Sequence, residues 1–520
     1  MKKFKIGSVI LVFFLIPFFA GAQTESVDLE MIYNIKQYEK SKSQIDELSF
    51  WMTDYLGPRL TASDGKLRAN EIVKKKLEEF GLANAVVEGV RPFDRGGWDN
   101  EKTYVAMTAP YYCAFAALPK AWTGSTKGLV KGAVILLDIK TVKDLDKYKG
   151  KLKGKIVVMP STTTYAPTFK ALATRYTDEE LAELTTETLG GRRGPGNFDF
   201  EAYMKTQQLR TAAAEFLKTE EVAVIINGSG EFNVPKAGGA NYKSGDKEPT
   251  ADINLPIEAH GRIVRLLQHD IPVELEVEVK NKFSKSEFVT NVMAEIPGTD
   301  PKLKDEIVLI GGHLDSWHGG TGAADNASGC IVMMEAIRIL KELNVSPRRT
   351  IRIALWGGEE QGLNGSRGYV EKYIRDSKTM ELKPGFENFD VYFNMDNGTG
   401  KYRGIYLQEN EMIRPVFEAW LAPFASLGCT TISIRNTGGT DHQSFDPLGL
   451  PAFQFIQDEI EYDRGYHTSM DTYERLIMDD LRLNAVVTAA LVYQAAMCDN
   501  KLPRKPYVKP NSNQRQRFNP

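Results

Sequence analysis

Apolar positions along the chain change their period twice. Over residues 23–57 they recur at helical spacing, with Ile45, Leu48 and Met52 on one face. A turn follows at Leu56-Gly57-Pro58-Arg59. A second helix then carries Ala69, Ile72, Val73, Leu77 and Phe80 on its inner stripe and stops at Gly81. In the middle of the chain short β-like runs, Val134–Leu137, Ile156–Met159 and Val222–Ile226, are separated by charged or glycine-rich stretches. Thr177–Thr188 reads as helix-prone, Gly190–Gly196 as a flexible loop and Lys236–Thr250 as a surface link. From Asn291 onward, buried strands alternate with helices. The strands are Glu306–Ile310, Ile351–Trp356, Val391–Phe393 and Ala452–Ile456. Asp325 opens a helix with the apolar face Ala327, Cys330, Ile331, Met334, Ile337 and Leu340. The pattern predicts an α/β fold, with a mixed, mostly parallel sheet flanked by helices and a smaller β-rich unit inserted in the middle.

A chain of 520 residues exceeds what one core holds. A net charge of −3, without a basic cluster, gives no footing for nucleic acid. Lys2, Lys3 and Lys5, the apolar run Ile6–Phe19 and Ala20-Gly21-Ala22 read as a signal peptide over residues 1–22. The run is too short to span a bilayer, so the mature protein is expected to be exported, periplasmic or secreted, without a stable membrane anchor. Four scattered cysteines do not make a disulfide scaffold.

Candidate chemistry collects just after the later strands, where open α/β sheets place their sites. His313 and Asp315 form an H-x-D pair, in which Asp315 is expected to accept a hydrogen bond from one ring nitrogen while the other faces a metal. Asp325, Glu360, Asp396 and His467 complete an imidazole and carboxylate set suited to two zinc ions, with Glu359 as a spare carboxylate. His318 is a candidate rim or substrate contact and His442 a candidate oxyanion donor. His260 and His269 read as structural or surface residues. No G-x-S-x-G, H-E-x-x-H, P-loop or C-x-x-C motif offers another chemistry.

The motifs HLDSW…GAADNASG, WGGEEQGLNGS, NMDNGTG and GYHTSMDT resemble the di-zinc exopeptidases of peptidase family M28. Within that family, HLDSW-x-x-G-x-G-A-x-D and LGPRLT are most similar to the carboxypeptidase Q branch, although His318 stands where that branch is expected to carry an acid. KGKLKGKIVVMPS and AVIINGSG resemble an inserted protease-associated domain. The resemblance implies a peptidase domain over 23–124 and 286–500, an inserted domain over 125–285 and a polar tail over 501–520. It implies two zinc ions per chain, one held by His313, Asp325 and Asp396, the other by Asp325, Glu360 and His467. Glu359 takes the part of general base and Asp315 orients the ligand histidine; Tyr466, His442 and His318 stand as candidate substrate or oxyanion contacts. Short peptides or dipeptides are the implied substrates, and homodimer formation is left open. The rivals are a single-zinc acyl-transfer enzyme similar to glutaminyl cyclases and a non-catalytic binding module on the same fold.

Overall fold

The computed structural model describes residues 26–160, 166–190, 200–230 and 232–509. The leader at 1–22, most of the loop at Gly190–Gly196 and the end of the polar tail lie outside the described residues.

The strand and helix alternation builds the first sheet. Its strands are β1 (Ala83–Pro92), β2 (Phe288–Ile296), β3 (Ile307–His313), β4 (Thr350–Trp356), β5 (Phe389–Asn394), β6 (Tyr402–Tyr406), β7 (Thr431–Ser433) and β8 (Ala452–Gln457). They lie in the order β1-β2-β4-β3-β5-β8-β6-β7. The central strands β4, β3, β5 and β8 are parallel neighbours, and antiparallel pairs flank them. Parallel strands are covered on both faces, so their side chains feed two apolar layers. Val308, Ile310, Ile351, Ile353, Val391 and Phe393 join the larger layer with helices α1 (Asp64–Glu79), α2 (Ser328–Glu342) and α3 (Met478–Met497). Leu309, Ala354, Trp356 and Tyr392 join an aromatic layer with Tyr369 and Phe445. The chain leaves β3 through α2 to β4 on one side, then returns to β5 on the other. That reversal opens a crevice at the carboxyl ends of the three strands.

Helix α1 forms as its sequence predicts. Ser63 caps it by accepting the Lys66 N–H, and Gly81, with φ +75°, lets the Leu82 N–H close back on the Leu77 carbonyl. Helix α2 departs from the amphipathic expectation. Val332, Met333, Ala336 and Ile339 are as buried as the expected face, because α3 covers the side turned away from the sheet. Asp325 has φ −126° and ψ 86° and sits in the turn ahead of α2 rather than in its first helical position.

A second eight-stranded sheet holds the middle of the chain, with Gly97–Ala109 paired along its length to Glu274–Ser284. It therefore begins near Gly97, earlier than the boundary read at 124, because a strand cannot be parted from the partner that satisfies its N–H and C=O groups. No strand of this sheet enters the first one. Two segments of the middle region nevertheless reach back. The helix Asp178–Thr185 packs on β7, with Arg175 bonded to Asp458 and Asp480 at 2.8 and 2.7 Å. Lys236–Thr250, read as a surface link, begins by pairing with the His467 loop: the Ala237 N–H donates to the His467 carbonyl at 2.7 Å. No helix among the described residues is long and apolar enough to cross a membrane.

Candidate metal centre

The crevice gathers its side chains from strand ends. His313 is the last residue of β3, Glu359 and Glu360 follow β4 through Gly357-Gly358, and Asp396 follows β5. Asp325 comes from the turn before α2, and His467 from the loop after β8. Gly329 lets α2 press in close, since a Cβ there would stand 2.4 Å from the Met395 carbonyl oxygen.

Asp325 is the centre of the arrangement. Its Oδ1 lies 3.2 Å from His313 Nε2 and its Oδ2 lies 3.3 Å from His467 Nε2. His313 Nε2 also faces Asp396 Oδ1 at 3.3 Å, and His467 Nε2 faces Glu360 Oε2 at 2.8 Å. Ligand atoms of His313, Glu359 and Asp396 lie within 4.8 Å of one another, as do those of Asp325, Glu360 and His467. These are two ion-sized groups joined through Asp325.

The polar atoms here are crowded, and apart from the His313–Asp396 contact several of them have no hydrogen-bond partner. Asp325 Oδ2, Glu360 Oε1 and His467 Nε2 are buried without a hydrogen-bond partner, although the His467 nitrogen is close to two carboxylates. Buried polar atoms left unpaired are costly, and donors aimed at a shared point rather than at one another fit a divalent cation. The electrostatics agree. Burial, then Asp396 and other neighbouring acids, push the Glu359 carboxyl up to about 11, and burial with Asp325 raises Glu360 well above the usual range. Burial opposes charge on His313, yet the Asp396 and Asp325 carboxylates outweigh it and raise its pKa. Four carboxylates against two imidazoles leave an excess of buried negative charge, which a cation offsets.

Around this centre the main chain is held by groups whose part the sequence did not announce. Asp471 accepts the Ala324 and Asp325 N–H groups at 2.6 and 3.1 Å. The fully buried Arg59 donates to the carbonyls of Met52, Gly57, Leu314, Thr321 and Gly322, between 2.6 and 3.1 Å, tying both ends of the loop between His313 and Asp325. Both residues lie inside motifs already singled out, GYHTSMDT and LGPRLT, but nothing local marks them as buried.

Several expected contacts fall elsewhere. The His313 Nδ1–H donates to the Asp315 main-chain carbonyl at 2.9 Å, while the Asp315 carboxylate stays 3.8 Å away and bonds to the turn carrying the glutamates. His318 is half-buried and tied to the second sheet: its Nε2 meets the Pro119 carbonyl at 2.7 Å, its ring packs edge-on against Trp98, and burial pushes its pKa down to about 4. His442 is fully buried with Nε2 3.1 Å from the Thr437 carbonyl, so this nitrogen serves the local turn and not a developing oxyanion. Tyr466 is exposed and stacks on the His467 ring with centroids 3.5 Å apart. His260 is structural, as read, bonded through Nε2 to the Met159 carbonyl at 2.7 Å.

The chain compares with known proteins as this geometry suggests. The family described as "Peptidase family M28" matches residues 291–492. Human carboxypeptidase Q is 27% identical over 482 residues, covering 91% of this chain and 89% of that protein. Aminopeptidase YwaD of Bacillus subtilis is 31% identical over 203 residues, 38% of this chain and 42% of that one. The crystal structure of a peptidase M28 precursor from Shewanella amazonensis superposes with a TM-score of 0.65 at 23% identity, covering 92% of this chain and 98% of its own. BSAP, a zinc aminopeptidase from Bacillus subtilis, gives 0.56 at 20% identity, over 88% and 95%; both share the fold. Residues 291–492 thus match the M28 peptidase family, and the chain is a metallo-exopeptidase.

Proposed function

We propose that the protein is an exported zinc exopeptidase that hydrolyses dipeptides and other short peptides. His313, Asp325 and Asp396 would hold one zinc ion, and Asp325, Glu360 and His467 a second. The observation that carries this reading is Asp325, whose two oxygens each face a different imidazole at 3.2 and 3.3 Å. A single-zinc acyl-transfer site has no use for the second trio, and a metal-free binding module gains nothing from buried donors and acceptors that bond to nothing.

Bound zinc supplies Lewis acidity for the scissile carbonyl and a lowered pKa for water. Glu359 takes a proton from the attacking water as its oxygen bonds to the carbonyl carbon, then delivers that proton to the nitrogen as the C–N bond breaks. Asp315 holds the turn that aims Glu359, through the main-chain bonds described above. Short substrates are favoured because the Lys236–Ala237 segment stands against the His467 loop at the mouth of the crevice. The relatives' names point to opposite ends of a peptide, and a dipeptide presents both ends at once. The test is a hydrolysis panel on the zinc-loaded protein, with free dipeptides, their N-acetylated and C-amidated forms, and longer peptides. Free dipeptides should be cleaved fastest. Cleavage confined to long peptides blocked at both ends would overturn the exopeptidase reading.

A further inference from the structure

We propose that Lys236 binds the free α-carboxylate of the substrate, an assignment that rests on the exopeptidase reading above. Lys236 lies between the strands Val224–Gly228 and Ala251–Leu255 of the second sheet, yet it lies against the loop that carries His467. Its main chain is pinned from two sides. Asn254 Nδ2 donates to the Lys236 carbonyl at 2.8 Å from within the second sheet. On the other side Lys236 forms an antiparallel bridge with Thr468, and the next N–H, of Ala237, donates to the His467 carbonyl at 2.7 Å.

The side chain reaches over the exposed ring of Tyr466, with Nζ 4.8 Å from the ring centroid, and that ring stacks at 3.5 Å on His467. Among the described residues the ammonium has no carboxylate partner and no hydrogen bond. Lys120, on the same edge of the second sheet, is paired with Asp252 at 2.8 Å. A cation–π contact alone would account for holding the loop, but the two main-chain attachments already do that, and the contact leaves all three ammonium donors unspent. A residue of extended peptide spans roughly 3.5 Å. A carbonyl reacting beside His467 therefore leaves its leaving-group residue, and the terminal carboxylate of a dipeptide, within reach of this cation. A longer peptide would carry its carboxylate past Lys236, so the same contact selects for size.

The experiment compares one dipeptide with its C-terminal amide on the zinc-loaded wild type, Lys236→Met and Lys236→Arg. Lys236→Met should raise KM for the free acid by about tenfold to a hundredfold, leave kcat unchanged, and leave both constants for the amide unchanged. Lys236→Arg should restore most of the preference. An acid-to-amide ratio of KM in Lys236→Met equal to the wild-type ratio overturns the proposal. Calorimetry of the same pair, on Glu359→Gln with and without Lys236→Met, reads the preference without turnover. Tighter binding of the acid that vanishes with Lys236→Met supports the site, and equal binding of acid and amide overturns it. A wild type that binds the acid through Lys236 yet cleaves neither compound would sink the exopeptidase reading while leaving this carboxylate site standing.

Discussion

The carboxylate of Asp315 accepts the main-chain N–H of Glu359 at 3.2 Å. Its second oxygen takes the Glu360 N–H at 3.3 Å and the Thr61 hydroxyl at 2.9 Å. The side chain two residues from His313 therefore acts on the turn that presents both glutamates, while the backbone sets the His313 tautomer. Asp315→Asn should put an amide N–H against a main-chain N–H and loosen that turn. We expect kcat to fall by about tenfold to a hundredfold, with the His313 hydrogen bond retained. Steady-state kinetics alongside zinc content check this, and an unchanged kcat would show that the turn needs no such anchor.

Glu359→Gln removes a proton acceptor without removing one of the proposed ligands. Turnover should drop by a factor of roughly 10²–10⁴ while the zinc content stays at the wild-type level. Kinetics on metal-replete protein are the check. Near-normal activity there would take the proton-transfer role away from Glu359.

Arg59 is a buried cation with no carboxylate in hydrogen-bond contact; five carbonyl groups take its place. Arg59→Ala takes a buried donor away from each of those carbonyls, of which that of Gly322 keeps the Ala327 N–H. The cost should be about 2–5 kcal/mol, seen as an earlier denaturant midpoint with little change in slope. Arg59→Lys should recover only part of it, because an ammonium cannot span the same fan of acceptors. A midpoint shift near zero would mean water satisfies the loop equally well.

Asp390, at the start of β5 and away from the metal centre, tests the electrostatics independently. Burial raises its carboxyl from 3.8 to about 6 even with Arg349 3.4 Å away, and its Oδ2 has no hydrogen-bond partner. The folded state then binds more protons than the unfolded state between these two values. Asp390 therefore contributes stability that is present below its unfolded pKa and lost as pH rises through about 6. Asp390→Asn cannot titrate, so its stability relative to wild type should improve by about 2 kcal/mol from about pH 4 to about pH 7. Chemical denaturation across that range measures it, and a pH-independent difference would contradict the assignment.

The residues of the candidate centre were legible because they are tied to periodicity. His313, Glu360 and Asp396 each follow a run of buried strand residues, and a charged group at the end of such a run needs a partner. Helix α1 was legible for the same reason, since its stripe, cap and terminal glycine agree. Asp315 misled because sequence proximity to His313 says nothing about whether a carboxylate turns toward the ring or toward a neighbouring loop. His318 misled because its packing partner, Trp98, lies far off in sequence, and His442 because its own turn at Thr437 takes up a ring nitrogen. The second sheet's start at Gly97 escaped notice because the partner of Gly97–Ala109 lies more than a hundred residues onward, at Glu274–Ser284. Arg59 and Lys236 look like ordinary surface cations until the loops they touch are folded beside them.

The most direct measurement is zinc per chain, by elemental analysis, for the wild type and for Asp325→Ala and His467→Ala. Asp325 faces both imidazoles and His467 belongs to one trio only. The account predicts about two ions in the wild type, about one in His467→Ala and close to none in Asp325→Ala. One ion in the wild type, or two retained by Asp325→Ala, would contradict the two-ion centre bridged by Asp325.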